Sequence, residues 1–220
     1  MFLQVENFLN PAEVEEIAAL AREAKFIDGR RSNPHNLTKD NVIADLSDPR
    51  ARQAGQIALA AIQRNEEVRN FVFPQRVAVP TLCRYSAGMK YGAHVDAAFM
   101  QISGQTLRAD VSSTVFIASP ADYQGGELVL HLGTEILRIK GKAGSAVFYP
   151  STHLHQVAPV SSGERLVLIT FIESQIPDEK QRDLLYALGE VKALEGLKMD
   201  WRNRMQLEYV IANLLRMWSK

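Results

Sequence analysis

The stretch FYPSTHLHQVAPVSSGERLVLITFI, residues 148–172, decides how this chain folds. An apolar run closes at Tyr149, a short alternating run starts at His155, and Glu164 to Ile172 is rich in β-branched residues. Runs of this length, punctuated by Pro, Ser and Gly, read as strands. Working outward, VAVPTLCRY (77–85), SSTVFIA (112–118), GELVLHL (126–132), EILRIK (135–140) and SAVFY (145–149) share the pattern, with HQVAPV and ERLVLITFI inside the opening stretch. ADYQGG and KGKAG supply turn signals between them. None alternates with a helical pattern, which argues against a parallel α/β sheet and for an all-β sandwich or barrel.

The flanks change period. Asn10-Pro11 followed by AEVEEIAALAREAKF carries a cap, a proline at the first helical position, early acids and apolar spacings of three and four. Residues 48–70 give a second helical pattern, with the polar, basic, turn-rich loop GRRSNPHNLTKDN between the two. From Pro177 the helical period returns in two amphipathic segments, 178–196 and 200–220. The expected organisation is an N-terminal helical segment (1–77), a β core (78–176) and a C-terminal helical segment (177–220), with no low-complexity linker and no repeat. The C-terminal stripes are expected to pack on the β unit, with a homodimer as the second choice.

Composition narrows the function. The chain has 220 residues, 46% hydrophobic and 23% charged, enough for one sizeable core. Its 25 basic and 25 acidic side chains cancel, so no nucleic-acid or anionic-membrane footprint is expected. Neither a signal peptide nor a spanning segment is legible. The single cysteine, Cys83, lies in an apolar run and reads as a small core residue in a reducing, cytoplasmic compartment.

Chemistry enters at GAHVDA, residues 92–97. On a strand, His94 and Asp96 share a face, because side chains alternate. Alone, such a pair is an ordinary surface feature at a turn. The later histidines, His153 and His155, supply a third ligand, and two imidazoles with one carboxylate leave three positions of an octahedron open. That arrangement suits non-haem Fe(II) with a bidentate organic acid and O2, whereas zinc hydrolysis needs one open position. A 2-oxo acid chelating the iron buries its far carboxylate, and Arg165, otherwise costly inside ERLVLITFI, offers a matching guanidinium fork.

RYSAGMKYGAHVD, YQGGELVL and FYPSTHLHQVAPVSSGERLVLITFIES together resemble the PKHD-type hydroxylases, in the prolyl 4-hydroxylase-like branch of Fe(II)/2-oxoglutarate dioxygenases. The motifs cover about residues 78–176 and the likeness extends into both flanks. The resemblance implies a double-stranded β-helix, or jelly-roll, with flanking helices. It implies Fe(II) on His94, Asp96 and the distal histidine, Arg165 on the 2-oxoglutarate C5 carboxylate, and Tyr85 near the cosubstrate. It further implies oxidative decarboxylation of 2-oxoglutarate to succinate and CO2 coupled to C–H hydroxylation by O2, with L-ascorbate keeping iron reduced. The substrate, a protein side chain or a small molecule such as a siderophore, is not in the sequence. The alternative is a non-catalytic iron or 2-oxoglutarate sensor on the same fold.

Strand parity cannot separate His153 from His155, which are two apart. A hairpin with Pro159–Gly163 as its connection would pair Val157 with Arg165 and set His155 opposite Val167, with Arg165 diagonal to it. That register and the family pattern both choose His155 and leave His153 at the pocket mouth. Tyr91 reads as packing, His131 and His35 as structural or solvated, and Arg108 with Asp110 as a local ion pair.

Overall fold

The structure, a computed structural model, describes residues 1–33, 36–102 and 104–220; His35 lies outside them. It is a mainly antiparallel β fold flanked by five α-helices. Each of the seven expected runs carries a strand: Thr81–Ser86, Val111–Phe116, Leu128–Leu132, Glu135–Ile139, Ala146–Pro150, His155–Val157 and Val160–Ser174. They divide between two sheets. The larger runs Leu3–Val5, Ala146–Pro150, Val111–Phe116, Val160–Ser174, Thr81–Ser86, Val42–Ala44, Phe26–Asp28, with Tyr123–Gly125 and Pro74–Val77 also pairing with Val160–Ser174. The smaller runs Glu135–Ile139, Leu128–Leu132, His155–Val157, Lys90–His94, Lys39–Asp40.

Alternation along the strands builds two cores. Cys83, Tyr85, Phe116, Val147, Tyr149 and Val167 face the smaller sheet and join Leu128, Leu130, Val157 and Tyr123 between the sheets. Leu82, Val111, Val115, Phe148, Leu166, Leu168 and Ile172 point the other way, onto the helices. The larger sheet is thus covered on both faces, which is why its central strands read as nearly continuous apolar runs. The first helix forms where its cap predicts, whereas the single pattern expected over residues 48–70 is split into two helices at Asn65. Asn10 accepts from the Glu13 N–H at 3.0 Å while Glu13 accepts from the Asn10 N–H at 2.9 Å, opening Pro11–Glu23. Pro49–Arg64 and Glu66–Val72 follow, capped by Asp48 and Asn65.

Two expectations are corrected. The first 77 residues are not helical throughout; they also contribute short strands to both sheets. Strands of two to four residues are too short to show a period of two, and Lys39–Asp40 falls in the stretch read as a loop. The expected hairpin does not exist. His155–Val157 pairs with Lys90–His94 and Leu128–Leu132, whereas Val160–Ser174 pairs within the other sheet. At Ala158-Pro159 the chain crosses between sheets, and a proline without an N–H suits a crossing better than a ladder.

At the C-terminus Glu179–Glu195 packs on Glu66–Val72, and Trp201–Trp218 packs on Glu179–Glu195. The last helix has no buried residue, and Leu184, Leu194, Trp201 and Tyr209 on the pair, with Leu197 in their connection, stand exposed. The first of the two helices thus packs chiefly on another helix rather than on the β unit as expected, reaching that unit through polar contacts such as Arg182 donating to the Asp110 carbonyl. No helix among the described residues is long and apolar enough to cross a membrane.

Candidate active site

His94 closes the strand Lys90–His94, and His155 opens the strand His155–Val157. These strands are antiparallel neighbours and the two histidines are direct partners across them. Register alone therefore sets the imidazoles side by side, ring centroids 4.2 Å apart. Asp96 lies two residues past its strand, where its N–H donates to the Ser151 carbonyl at 3.3 Å. Its carboxylate oxygens sit 3.8 Å from His94 Nε2 and 3.6 Å from His155 Nε2. The three ligand atoms lie within 4.8 Å of one another, the one such group found among the described residues.

The donor set fits a divalent metal in its protonation as well as its shape. His94 Nδ1–H donates to the Gly92 carbonyl at 2.8 Å, and His155 Nδ1–H donates to the His153 carbonyl at 2.9 Å. A carbonyl only accepts, so each ring proton sits on Nδ1 and each Nε2 lone pair faces the shared point. Burial, and then the neighbouring His155, push His94 down to about 4, so it is neutral at pH 7. Asp96 Oδ2 accepts from Ser112 Oγ at 2.6 Å, and the Ser112 and Ser151 hydroxyls lie 2.7 Å apart. Tyr91 stacks on His94 at 3.7 Å and Tyr149 meets His155 edge-on at 5.1 Å, so both rings are held from behind.

Arg165 occupies the inner face of the larger sheet and is 1% exposed. Its guanidinium carbon stands 5.1 Å over the ring of Tyr85, its cross-strand partner, and 5.9 Å from that of Phe116. No carboxylate among the described residues pairs with it, and its buried Nε has no hydrogen-bond partner there. The buried Tyr123 hydroxyl beside it also has no hydrogen-bond partner among the described residues. Gly126, at φ 67°, makes room: a Cβ there would meet Arg165 Cδ at 3.1 Å. A lone buried guanidinium is costly, and an incoming carboxylate would offset that cost.

His153 does not join the triad. Its Nε2 lies 3.1 Å from Glu179 Oε1, and it lines a surface cavity of about 530 Å3 with Phe2, His131 and Leu154. Arg108 and Asp110 form the expected ion pair at 2.8 Å, though Asp110 is buried and also accepts from the Ser174 N–H. Sequence reasoning missed Ser112 and Tyr123. A Ser-Ser-Thr cluster inside an otherwise apolar strand was the legible signal for Ser112. Tyr123 sits within the turn signal ADYQGG, which masks it.

Residues 80–173 match the 2OG-Fe(II) oxygenase superfamily. A PKHD-type hydroxylase of Sphingopyxis alaskensis is 45% identical over 221 residues, covering 100% of both chains. A prolyl hydroxylase from Trichoplax adhaerens, solved with a peptide fragment of the hypoxia inducible factor oxygen degradation domain, superposes with TM-score 0.60 at 18% identity, over 83% of this chain and 86% of that one. A Pseudomonas putida prolyl-4-hydroxylase superposes with TM-score 0.54 at 21% identity, over 79% and 92%. Both solved structures share the jelly-roll fold.

Proposed function

The chain belongs to the PKHD-type hydroxylases, Fe(II)- and 2-oxoglutarate-dependent dioxygenases, and from that premise we propose which of its residues do the work. His94 Nε2, His155 Nε2 and one Asp96 oxygen hold the iron, Arg165 takes the C5 carboxylate of 2-oxoglutarate, and Tyr85 walls the cosubstrate site. The observation that carries this reading is the pairing of a converged His-Asp-His group with a buried arginine that has no carboxylate of its own.

Bound iron supplies the oxygen chemistry, in which 2-oxoglutarate is decarboxylated to succinate and CO2 while a substrate C–H bond is hydroxylated. The protein's part is preorganisation. The Gly92 and His153 carbonyls fix the imidazole tautomers, and the Ser112 hydroxyl fixes the Asp96 carboxylate. Arg165, with the Tyr123 hydroxyl beside it, would pair with the far carboxylate of the diacid.

Residues 78–176 serve as the catalytic unit and both flanks as its supports. L-ascorbate is the reductant, and the balanced charge supports a substrate other than nucleic acid. The single buried cysteine supports a cytoplasmic setting. A homodimer would cover the exposed apolar side chains of the C-terminal helices. Acidic side chains outnumber basic ones in Glu179–Glu195 and the reverse holds in Trp201–Trp218, so a two-fold axis can set unlike helices together.

Anaerobic reconstitution with Fe(II) and 2-oxoglutarate tests the site. A weak visible charge-transfer band should form, and on admitting O2 succinate should appear in proportion to protein. Asp96→Ala should lose both signals; a band unchanged in that variant would overturn the ligand assignment.

A further inference from the structure

The smaller sheet ends in the strand Lys39–Asp40, paired with the His94 strand so that Lys39 directly opposes Tyr91. Direct partners share a face, and here it is the inner one. Tyr91 packs on the core between the sheets and its ring stacks on His94, while Lys39 Nζ stands 4.9 Å from the same ring's centroid. Lys39 is 5% exposed, whereas Asp40 beside it is exposed. Its ammonium donates to Ser32 Oγ at 2.6 Å and forms no ion pair with any described carboxylate. Asp28, a carboxylate that influences it, is already held by Arg30. The other is Asp96.

Charge makes this arrangement informative. A divalent metal at the triad would engage the Asp96 carboxylate, leaving Lys39 with only the Ser32 hydroxyl and the Tyr91 ring as described partners. Iron, Arg165 and Lys39 together bring four positive charges, against three negative ones from Asp96 and a 2-oxoglutarate dianion. An ammonium in a buried wall is costly to leave uncompensated. Two residues on, Asn41 is 3% exposed with neither carboxamide atom hydrogen-bonded among the described residues, and it lies beside the Tyr85 hydroxyl. This segment therefore carries unspent hydrogen bonds as well as unspent charge.

We propose that Lys39, supported by Asn41, forms an anion subsite in the wall of the iron pocket that binds a carboxylate of the hydroxylated substrate. The inference rests on the iron and 2-oxoglutarate reading above and deepens it, by naming an acid as the substrate class. The acid is either a small free acid or a carboxylate carried on a peptide.

The test uses the full chain labelled with 13C at lysine Cε and in the histidine rings. Zn(II) serves as a diamagnetic stand-in and N-oxalylglycine fills the cosubstrate site. The Lys39 signal is assigned by its absence in Lys39→Arg. Acetate should move that signal along a saturating curve, while the other lysines drift linearly and acetamide leaves Lys39 in place. Free glutamate and a blocked Ala-Glu-Ala peptide then distinguish the two sources, the one saturating at lower concentration being the class accepted. A Lys39 signal that merely follows the other lysines, or that responds equally to acetamide, overturns the subsite. If the His94 and His155 ring signals have moved on adding Zn(II) and N-oxalylglycine, only the subsite falls. If they have not moved, the metal reading falls and the subsite with it.

Discussion

Arg165→Met removes a guanidinium that is 1% exposed and unpaired, and puts a flexible apolar chain in its place. In the protein without metal or cosubstrate, replacing a lone buried cation by an apolar side chain should be neutral or stabilising, by up to about 4 kcal/mol. At roughly 2–4 °C per kcal/mol for a chain of this size, Tm should hold or rise by several degrees. Binding of 2-oxoglutarate should respond in the opposite sense. Its C5 carboxylate would be buried without a partner, a loss of about 3–5 kcal/mol, or roughly one hundred- to several-thousand-fold in Kd at 1.4 kcal/mol per tenfold. Arg165 is not one of the three residues whose ligand atoms converge, so Fe(II) affinity should change by less than about threefold. Differential scanning fluorimetry of the metal-free protein and anaerobic titration of the charge-transfer band with 2-oxoglutarate measure the two effects. A Tm that falls together with iron and 2-oxoglutarate affinity would show that Arg165 holds the fold, and the reasoning would be refuted.

The other predictions concern the triad and its supports. His155→Ala should abolish Fe(II) binding and succinate formation while His153→Ala largely keeps both, because His153 supports His155 through its backbone carbonyl; equilibrium dialysis and a succinate assay decide. Ser112→Ala releases Asp96 Oδ2 from its 2.6 Å hydrogen bond and should weaken Fe(II) binding about 10- to 100-fold, and unchanged affinity would show the hydroxyl to be incidental. His94 has a depressed pKa of about 4, so the unfolded state binds its proton first as pH falls below about 6.5. The metal-free protein should therefore lose stability from pH 6.5 down toward 4, by about 2 kcal/mol at pH 5. Urea titrations should show that loss in the native protein and not in His94→Leu.

Much of the chain was legible because its signals are local. Seven β-branched runs bounded by Pro, Gly and Ser became seven strands, and Asn10-Pro11 became a capped helix start, since turn chemistry and capping act over a few residues. His94, Asp96, His155 and Arg165 stood out as polar groups in apolar surroundings, with the family motifs reinforcing them. Pairing between distant strands was not legible. His155 was assigned through a hairpin to Arg165 that does not form; the structure sets it beside His94 instead, 61 residues earlier in the chain. Whether Pro159 turns a hairpin or carries the chain to the other sheet depends on which edges other strands leave open, and no local pattern records that. Lys39 shows the same limit from the other side. Among Arg30, Arg31, Asn36 and Asp40 it reads as one more solvated charge. Its two-residue pairing with the His94 strand turns it inward against the Tyr91 ring, because register and not composition decides which face a side chain takes.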